Sequence, residues 1–264
     1  MHGMVNIAIR AARRAGEIMI RHLNQLESLQ VAEKGRNDFV SRVDQLAEAA
    51  IIEVIQDHYP DHAILAEESG ASGEHEFTWI IDPLDGTTNY LHGFPVFSVS
   101  IAVAEGRELQ HGVVYDPLRQ EIFSASRGQG AQLDGRKIRV SRQTALKGAL
   151  IATGFPYRMT EEHMDTYLGM LRAVMIETAG VRRPGSAALD LCYVAAGRVD
   201  GFWELGLSKW DVAAGALIIR EAGGRVSDFR GTDGFLDSGN IVAGAPKVYS
   251  ALSKLLAPHT RGIA

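Results

Sequence analysis

Asp82 and Asp85 stand three residues apart in the string Asp82-Pro83-Leu84-Asp85-Gly86-Thr87-Thr88-Asn89. Two carboxylates on one turn form an oxygen-only donor set for hard divalent cations. Mg2+ suits it, because it keeps part of its water and lets a phosphate complete its shell. Gly86 lets the backbone approach a ligand closely. Thr87 and Thr88 bring hydroxyls and main-chain N–H groups, and can open a helix whose N-terminus favours an anion. One turn thus offers carboxylates to cations and amides to a phosphate. Aspartate is common in ordinary turns, so the specificity lies in the whole string and in two further acidic motifs.

The first of these is Glu67-Glu68-Ser69. Adjacent acids at a strand end point in different directions, so one can face a site while the other makes structural contacts. The second is Trp210-Asp211-Val212-Ala213-Ala214-Gly215. There Asp211 reads as the N-cap of an apolar helix, a role that leaves one oxygen for a metal. Glu204, upstream of Asp211, reads as a surface acid or a binding-site acid. Asp44 reads, by itself, as a helix-dipole carboxylate.

These residues need elements to hold them. Residues 4–25 have the spacing of an amphipathic helix, with His22 at its boundary. A loop or hairpin follows, then a helix with Val43, Leu46, Ala47, Ala50, Ile51, Val54 and Ile55 as its apolar stripe. Ala63–Ala66 is a strand running into Glu67, and residues 70–76 are a surface loop. Trp79–Ile81 is a buried strand that stops at Asp82, since Pro83 has no N–H to continue a ladder. Residues 97–140 are dense in antiparallel strands, with Asp134-Gly135 as a hairpin turn. Beyond them strand and helix alternate: strands at 149–153, 201–205, 226–229 and 240–243, and helices at 161–176, 186–199, 210–222 and 245–256. The 161–176 helix carries Met164, Leu168, Leu171 and Met175 near one face. This alternation argues for layered α and β, an α/β (α+β) chain in two joined halves, 1–145 and 146–264.

The 264 residues carry a net charge of −5 and no long basic block, which does not suggest nonspecific nucleic-acid binding. The single cysteine, Cys192, excludes an intramolecular disulfide and reads as a buried thiol in an apolar run. The nine histidines lack zinc-type spacing. No signal-like segment or membrane-length apolar run occurs, which points to a cytoplasmic protein.

Taken together, the motifs resemble the lithium-sensitive, Mg2+-dependent inositol monophosphatase family, most closely its bacterial inositol-1-monophosphatase branch of the extragenic-suppressor type. Lys34–Val40, Gly185-Ser186-Ala187-Ala188 and Ala195–Gly201 extend the likeness over nearly the whole chain. The resemblance implies a layered αβαβα sandwich with two to three Mg2+ ions between its halves. Glu67, Asp82 and the carbonyl of Leu84 would hold the first ion. Asp82, Asp85 and Asp211 would hold the second, and a third would lean on Glu67. Two such ions about 4 Å apart clamp the attacking and leaving oxygens of an in-line displacement. Thr87 and Asp44 would relay the proton of the attacking water, with Glu67 beside them, and no covalent phospho-enzyme would form. Gly86 and Thr87 amides would hold the phosphate. Asp85, Arg182, Ala187 (main chain), Glu204 and Asp211 would line the polyol side.

The implied substrate is myo-inositol monophosphate, with another sugar or polyol phosphate as the alternative. The loop Gly206-Leu207-Ser208-Lys209 lacks the histidine of animal members, which bears on selectivity. The likeness also implies a homodimer, in which Arg183 would face outward across the interface while Arg182 faces the site. A second, different role is implied too: a transcription antitermination accessory binding RNA polymerase machinery.

Overall fold

The structure is a computed structural model that describes residues 2–23, 31–35, 38–156 and 161–260. Helix α1 (Gly3–His22) buries Ala8, Ala11, Ala12, Ala15 and Met19 on one face. The two residues by which the sequence reading extends it, 24 and 25, lie outside the described residues. Strands β1 (Val31–Gly35) and β2 (Asp38–Ser41) pair antiparallel, the hairpin alternative of the sequence reading. Arg36 and Asn37, between them, lie outside the described residues. Helix α2 (Arg42–Gln56) follows; its buried face includes Asp44 and Glu48 as well as the expected apolar stripe, except Leu46, which is exposed.

The first sheet holds β3 (Ala63–Ala66), β4 (Gly70–Ser72), β5 (Phe77–Asp85), β6 (Ser98–Glu105), β7 (Glu108–Asp116), β8 (Glu121–Ser126), β9 (Gly130–Leu133) and β10 (Arg136–Lys137). Helix α3 (Thr87–Leu91) sits between β5 and β6. The strand order is β10-β9-β8-β7-β6-β5-β3-β4, antiparallel throughout except for the parallel pair β3–β5. Two expectations are corrected here. Residues 70–72 form an edge strand against β3, because Gly70, at φ +77°, turns the chain back on itself. Residues 138–140 leave the sheet after the short β9–β10 hairpin at Asp134-Gly135.

The second sheet is built from β11 (Leu150–Thr153), β12 (Gly180–Arg182), β13 (Gly201–Glu204), β14 (Arg225–Ser227) and β15 (Ile241–Gly244), in the order β12-β11-β13-β15-β14. Around it run α4 (Glu161–Glu177), α5 (Ala187–Ala195), α6 (Lys209–Glu221), α7 (Phe235–Ser238) and α8 (Pro246–Leu256). The helix expected over 186–199 is shorter, with Ser186 as its N-cap and Ala196 as its C-cap.

Three apolar clusters define the layers. One joins α1 and α2 to the outer face of the first sheet, through Met19, Ile51, Trp79 and Ile101. The largest joins both sheets through α5 and α6, with Leu189, Leu191, Val212 and Ile218. The third joins the second sheet to α4 and α8, through Tyr167, Met170, Trp203 and Leu252. The result is an αβαβα sandwich in which the middle helices are buried on nearly all sides. Small residues allow this: a Cβ at Gly112 on β7 would lie 2.9 Å from the Ala214 carbonyl oxygen of α6.

Candidate active site

β5 does not end at Asp82. Its ladder pairs Asp82 with Ser100 and resumes at Asp85 opposite Ser98, so one extra residue is accommodated between them. This is a β-bulge, a place where a residue without an N–H costs no ladder bond, and Pro83 occupies it. The bulge separates the two carboxylates while keeping both on the same strand end. Asp82 Oδ1 accepts the N–H of Leu84 at 3.0 Å. Gly86 then turns the chain at φ +96°, and a Cβ there would lie 3.0 Å from the Val96 carbonyl and 3.1 Å from that of Gly185. The next residue opens α3, as the two threonines suggested.

Three other elements converge on this strand end. The parallel register places Ala66 opposite Ile81, so Glu67 leaves β3 beside Asp82, and its N–H donates to the Ile81 carbonyl at 3.1 Å. From α2, Asp44 is fully buried, and the Thr87 hydroxyl lies 3.0 Å from its Oδ1 and 3.1 Å from the Leu84 carbonyl. From α5, the Ser186 hydroxyl and the Ala188 N–H both donate to Asp85 Oδ2, at 2.6 and 2.8 Å. The N–H of Ala187 is also directed at Asp85. Asn89 fastens the halves together, its Nδ2 lying 2.8 Å from the Val96 carbonyl and 2.9 Å from that of Pro184.

Asp211 is not an N-cap. Ser208 caps α6, and Asp211 is the third helical residue, its Oδ2 accepting the Ser208 N–H at 2.7 Å in a capping box. Glu204 ends β13, 6% exposed, with its carboxyl packed against Gly154. A Cβ at Gly154 would stand 1.9 Å from Glu204 Oε1, so only glycine leaves that carboxyl its place.

The electrostatics follow from gathering acids in a buried place. Burial pushes the Asp82 carboxyl well above the usual carboxylate range, and Glu67, Asp85 and Asp211 push it further. Asp85 is raised to about 7 by burial and then by Asp211, against its hydrogen bonds from Ser186, Ala188 and Ala187. Burial, then Asp211 and Asp85, raise Glu204. Mutual repulsion of this kind is relieved by a cation. Among the described residues no three histidines, cysteines or acids are drawn together closely enough to cage an ion by themselves. An open carboxylate set fits an ion that keeps waters and takes ligands from a phosphate better than one that needs a closed shell.

Arg182 is the sequence-predicted residue that stays apart. Its exposed guanidinium turns back toward Gly180 and donates to the Val181 carbonyl at 3.1 Å. Arg183, also exposed, lies on the site side instead. It lies 4.7 Å over the Phe155 ring and draws the pKa values of Glu204 and Asp190 downward. Both arginines are exposed, and it is Arg183, not Arg182, that lies on the side of Glu204. Sequence reasoning missed Asp190 as well. It is 1% exposed on α5, its Oδ1 has no hydrogen-bond partner, and burial followed by Glu204 and Asp85 raises its pKa. A charged residue in an otherwise apolar helix was the available signal. Cys192 is buried, with its thiol pushed up by that burial. No helix of the described residues is long and apolar enough to cross a membrane.

The chain is similar in sequence and fold to known proteins. The chain is 53% identical over 264 residues to the Nus factor SuhB of Pseudomonas aeruginosa, covering 98% of this chain and 97% of that one. It is 50% identical to the Nus factor SuhB of Escherichia coli, covering 96% and 95%. The extragenic suppressor protein suhB of Bartonella henselae superposes with a TM-score of 0.93 at 44% identity, over 97% of this chain and 98% of that one. A Thermotoga maritima IMPase superposes at 0.90 and 33% identity, over the full length of both. The model of the inositol monophosphatase family matches residues 1–263, and the chain belongs to that family.

Proposed function

We propose that the protein is a Mg2+-dependent phosphate monoester hydrolase acting on a polyol monophosphate, myo-inositol monophosphate first among them. The observation that carries this reading is the convergence of Glu67, Asp82, Asp85 and Asp211 beside the Thr87–Asp44 hydrogen bond. Glu67, Asp82, the Leu84 carbonyl, Asp85 and Asp211 would hold the ions. Mg2+ bound there would polarise the phosphate and lower the pKa of a water. The chain's own groups do the rest. Thr87 Oγ1, with its proton directed to Asp44, keeps a lone pair to accept a proton from the attacking water, and Asp44 takes up the hydroxyl proton as charge develops. The N–H groups of Gly86 and Thr87, at the start of α3, orient the phosphate. Glu204 and Arg183 face the polyol, a neutral group suited to hydroxyl contacts with both. Turnover of a panel of phosphate monoesters, with and without Mg2+, tests the reading. Release of phosphate from none of them would end it.

Lithium should inhibit, and uncompetitively with substrate. Li+ resembles Mg2+ in size with half its charge, and the family resemblance motivates replacement of the second ion after hydrolysis. Unchanged kinetics at millimolar lithium would count against the ligand assignment.

A second role is favoured by the identity to proteins called Nus factors. We propose that this chain, too, attends antitermination through protein–protein contacts with the transcription machinery. A catalytically dead variant that still supports antitermination in cells would separate the two roles. A dimer is also proposed. The exposed apolar residues of α4, including Met175 and Ile176, support it.

A further inference from the structure

Glu48 has no part in the site as described so far. It lies on α2 one turn after Asp44, and residues four apart share a helix face. It is 3% exposed. Its Oε2 accepts the N–H of Glu68 and its Oε1 the N–H of Ser69, each at 2.8 Å. Both oxygens of one carboxylate therefore close on the two consecutive amides that follow Glu67. On the other side, the N–H of Glu67 is held by Ile81 of β5. The turn that presents Glu67 is thus fixed from both directions, to β5 and to α2. The same helix, one turn earlier, holds the hydroxyl of Thr87 through Asp44. A carboxylate offers an acceptor to each N–H. Glutamine offers one and turns an NH2 on the other.

We propose that Glu48 is a positioning residue, which sets the Glu67 carboxylate for divalent-cation binding and keeps it in register with the Thr87–Asp44 pair through a single helix. The proposal rests on the reading of Glu67 as a cation ligand. Groups that orient a metal ligand through its surroundings typically govern about 10–100-fold in affinity.

The test is calorimetric titration of Mg2+ alone into the full chain as wild type, Glu48→Gln, Glu67→Gln and the double variant, at a temperature well below every melting transition. Glu48→Gln should weaken Mg2+ binding by about ten-fold or more. The double variant should bind no more weakly than Glu67→Gln alone, because Glu48 acts through Glu67. A purely structural role would lower the melting temperature and leave the two effects independent. Glu48→Gln binding Mg2+ as tightly as wild type, or two effects that multiply, would overturn the proposal. If Glu48→Gln does not fold, Glu48→Asp serves: it keeps both acceptors with a shorter reach, and a weaker Mg2+ affinity is again expected, an unchanged one again overturning. Wild-type protein that binds no Mg2+ would sink the metal reading and this inference together. Mg2+ binding without phosphatase turnover would sink only the proposed reaction.

Discussion

Asp85 has two tasks at once. Its Oδ2 accepts from Ser186 and the Ala188 amide, and on the proposed reading the same carboxylate would also hold a cation. Asp85→Asn should therefore fold normally, since an amide oxygen can still accept from both donors. Turnover should fall by several orders of magnitude and the second Mg2+ should bind more weakly, both readable by kinetics and calorimetry. Unchanged rate and affinity would remove Asp85 from the site. Gly154 gives a sharper test of the polyol side. Gly154→Ala places a methyl where the Glu204 carboxyl lies. The expected result is a raised KM with a smaller effect on kcat, because on the proposed reading Glu204 would touch the part of the substrate that does not react. An equal KM would show that Glu204 is not a substrate contact.

The elements bring these residues together by short, directional contacts, and some of these are sensitive to acid. His2 caps α1, its Nδ1 accepting the Met4 N–H at 3.3 Å, and its ring stacks on His111 of β7 at 4.3 Å. Burial, then His2, lower the His111 pKa from 6.5 to about 4. Between those values the unfolded chain takes up a proton that the folded chain refuses. Stability is therefore lost as pH falls through that window, and this contribution is restored above it. His111→Gln should flatten the acid limb of the stability–pH curve measured by denaturant unfolding between pH 4 and 6.5. An unchanged limb would place the acid sensitivity elsewhere. The bulge in β5 belongs to the same scale. The residue types made Asp82-Pro83 look like a strand end, and only pairing with β6 shows the strand continuing to Asp85.

At the scale of the whole molecule, α4 has two apolar stripes. Tyr167, Met170 and Val174 pack on the second sheet, while Leu168, Met175 and Ile176 are 50%, 61% and 62% exposed. The helical spacing of Met164, Leu168, Leu171 and Met175 was visible in the sequence. That Met164, Leu168 and Met175 face away from the core while Leu171 packs against it was not, because both faces are apolar. Exposed apolar patches of this kind mark contact surfaces. If α4 lies in a two-fold interface, Met175→Asp combined with Ile176→Asp should shift the equilibrium toward monomer by about ten-fold, ~1.4 kcal/mol. Sedimentation equilibrium decides it, and a wild type that remains monomeric at high concentration would refute the interface.

The sequence by itself determined the element order and which acids gather at the candidate site. Periodicity located most helices and strands within a few residues, and the acidic motifs named the carboxylates that meet at the end of β5. These are local properties: side-chain type, spacing, and the turn chemistry of Gly86 and the threonines. Tertiary structure decided everything that depends on which partner a group finds. It assigned the cap of α6 to Ser208 and made Asp211 its capping-box partner. It set Arg183, not Arg182, beside Phe155 and within reach of Glu204, because those neighbours come from distant parts of the chain. It gave Glu48 its two amides, from a turn about twenty residues along the chain. It also raised the pKa values of Asp82, Asp85, Asp190 and Glu204, since burial and like-charge proximity exist only once the layers have closed.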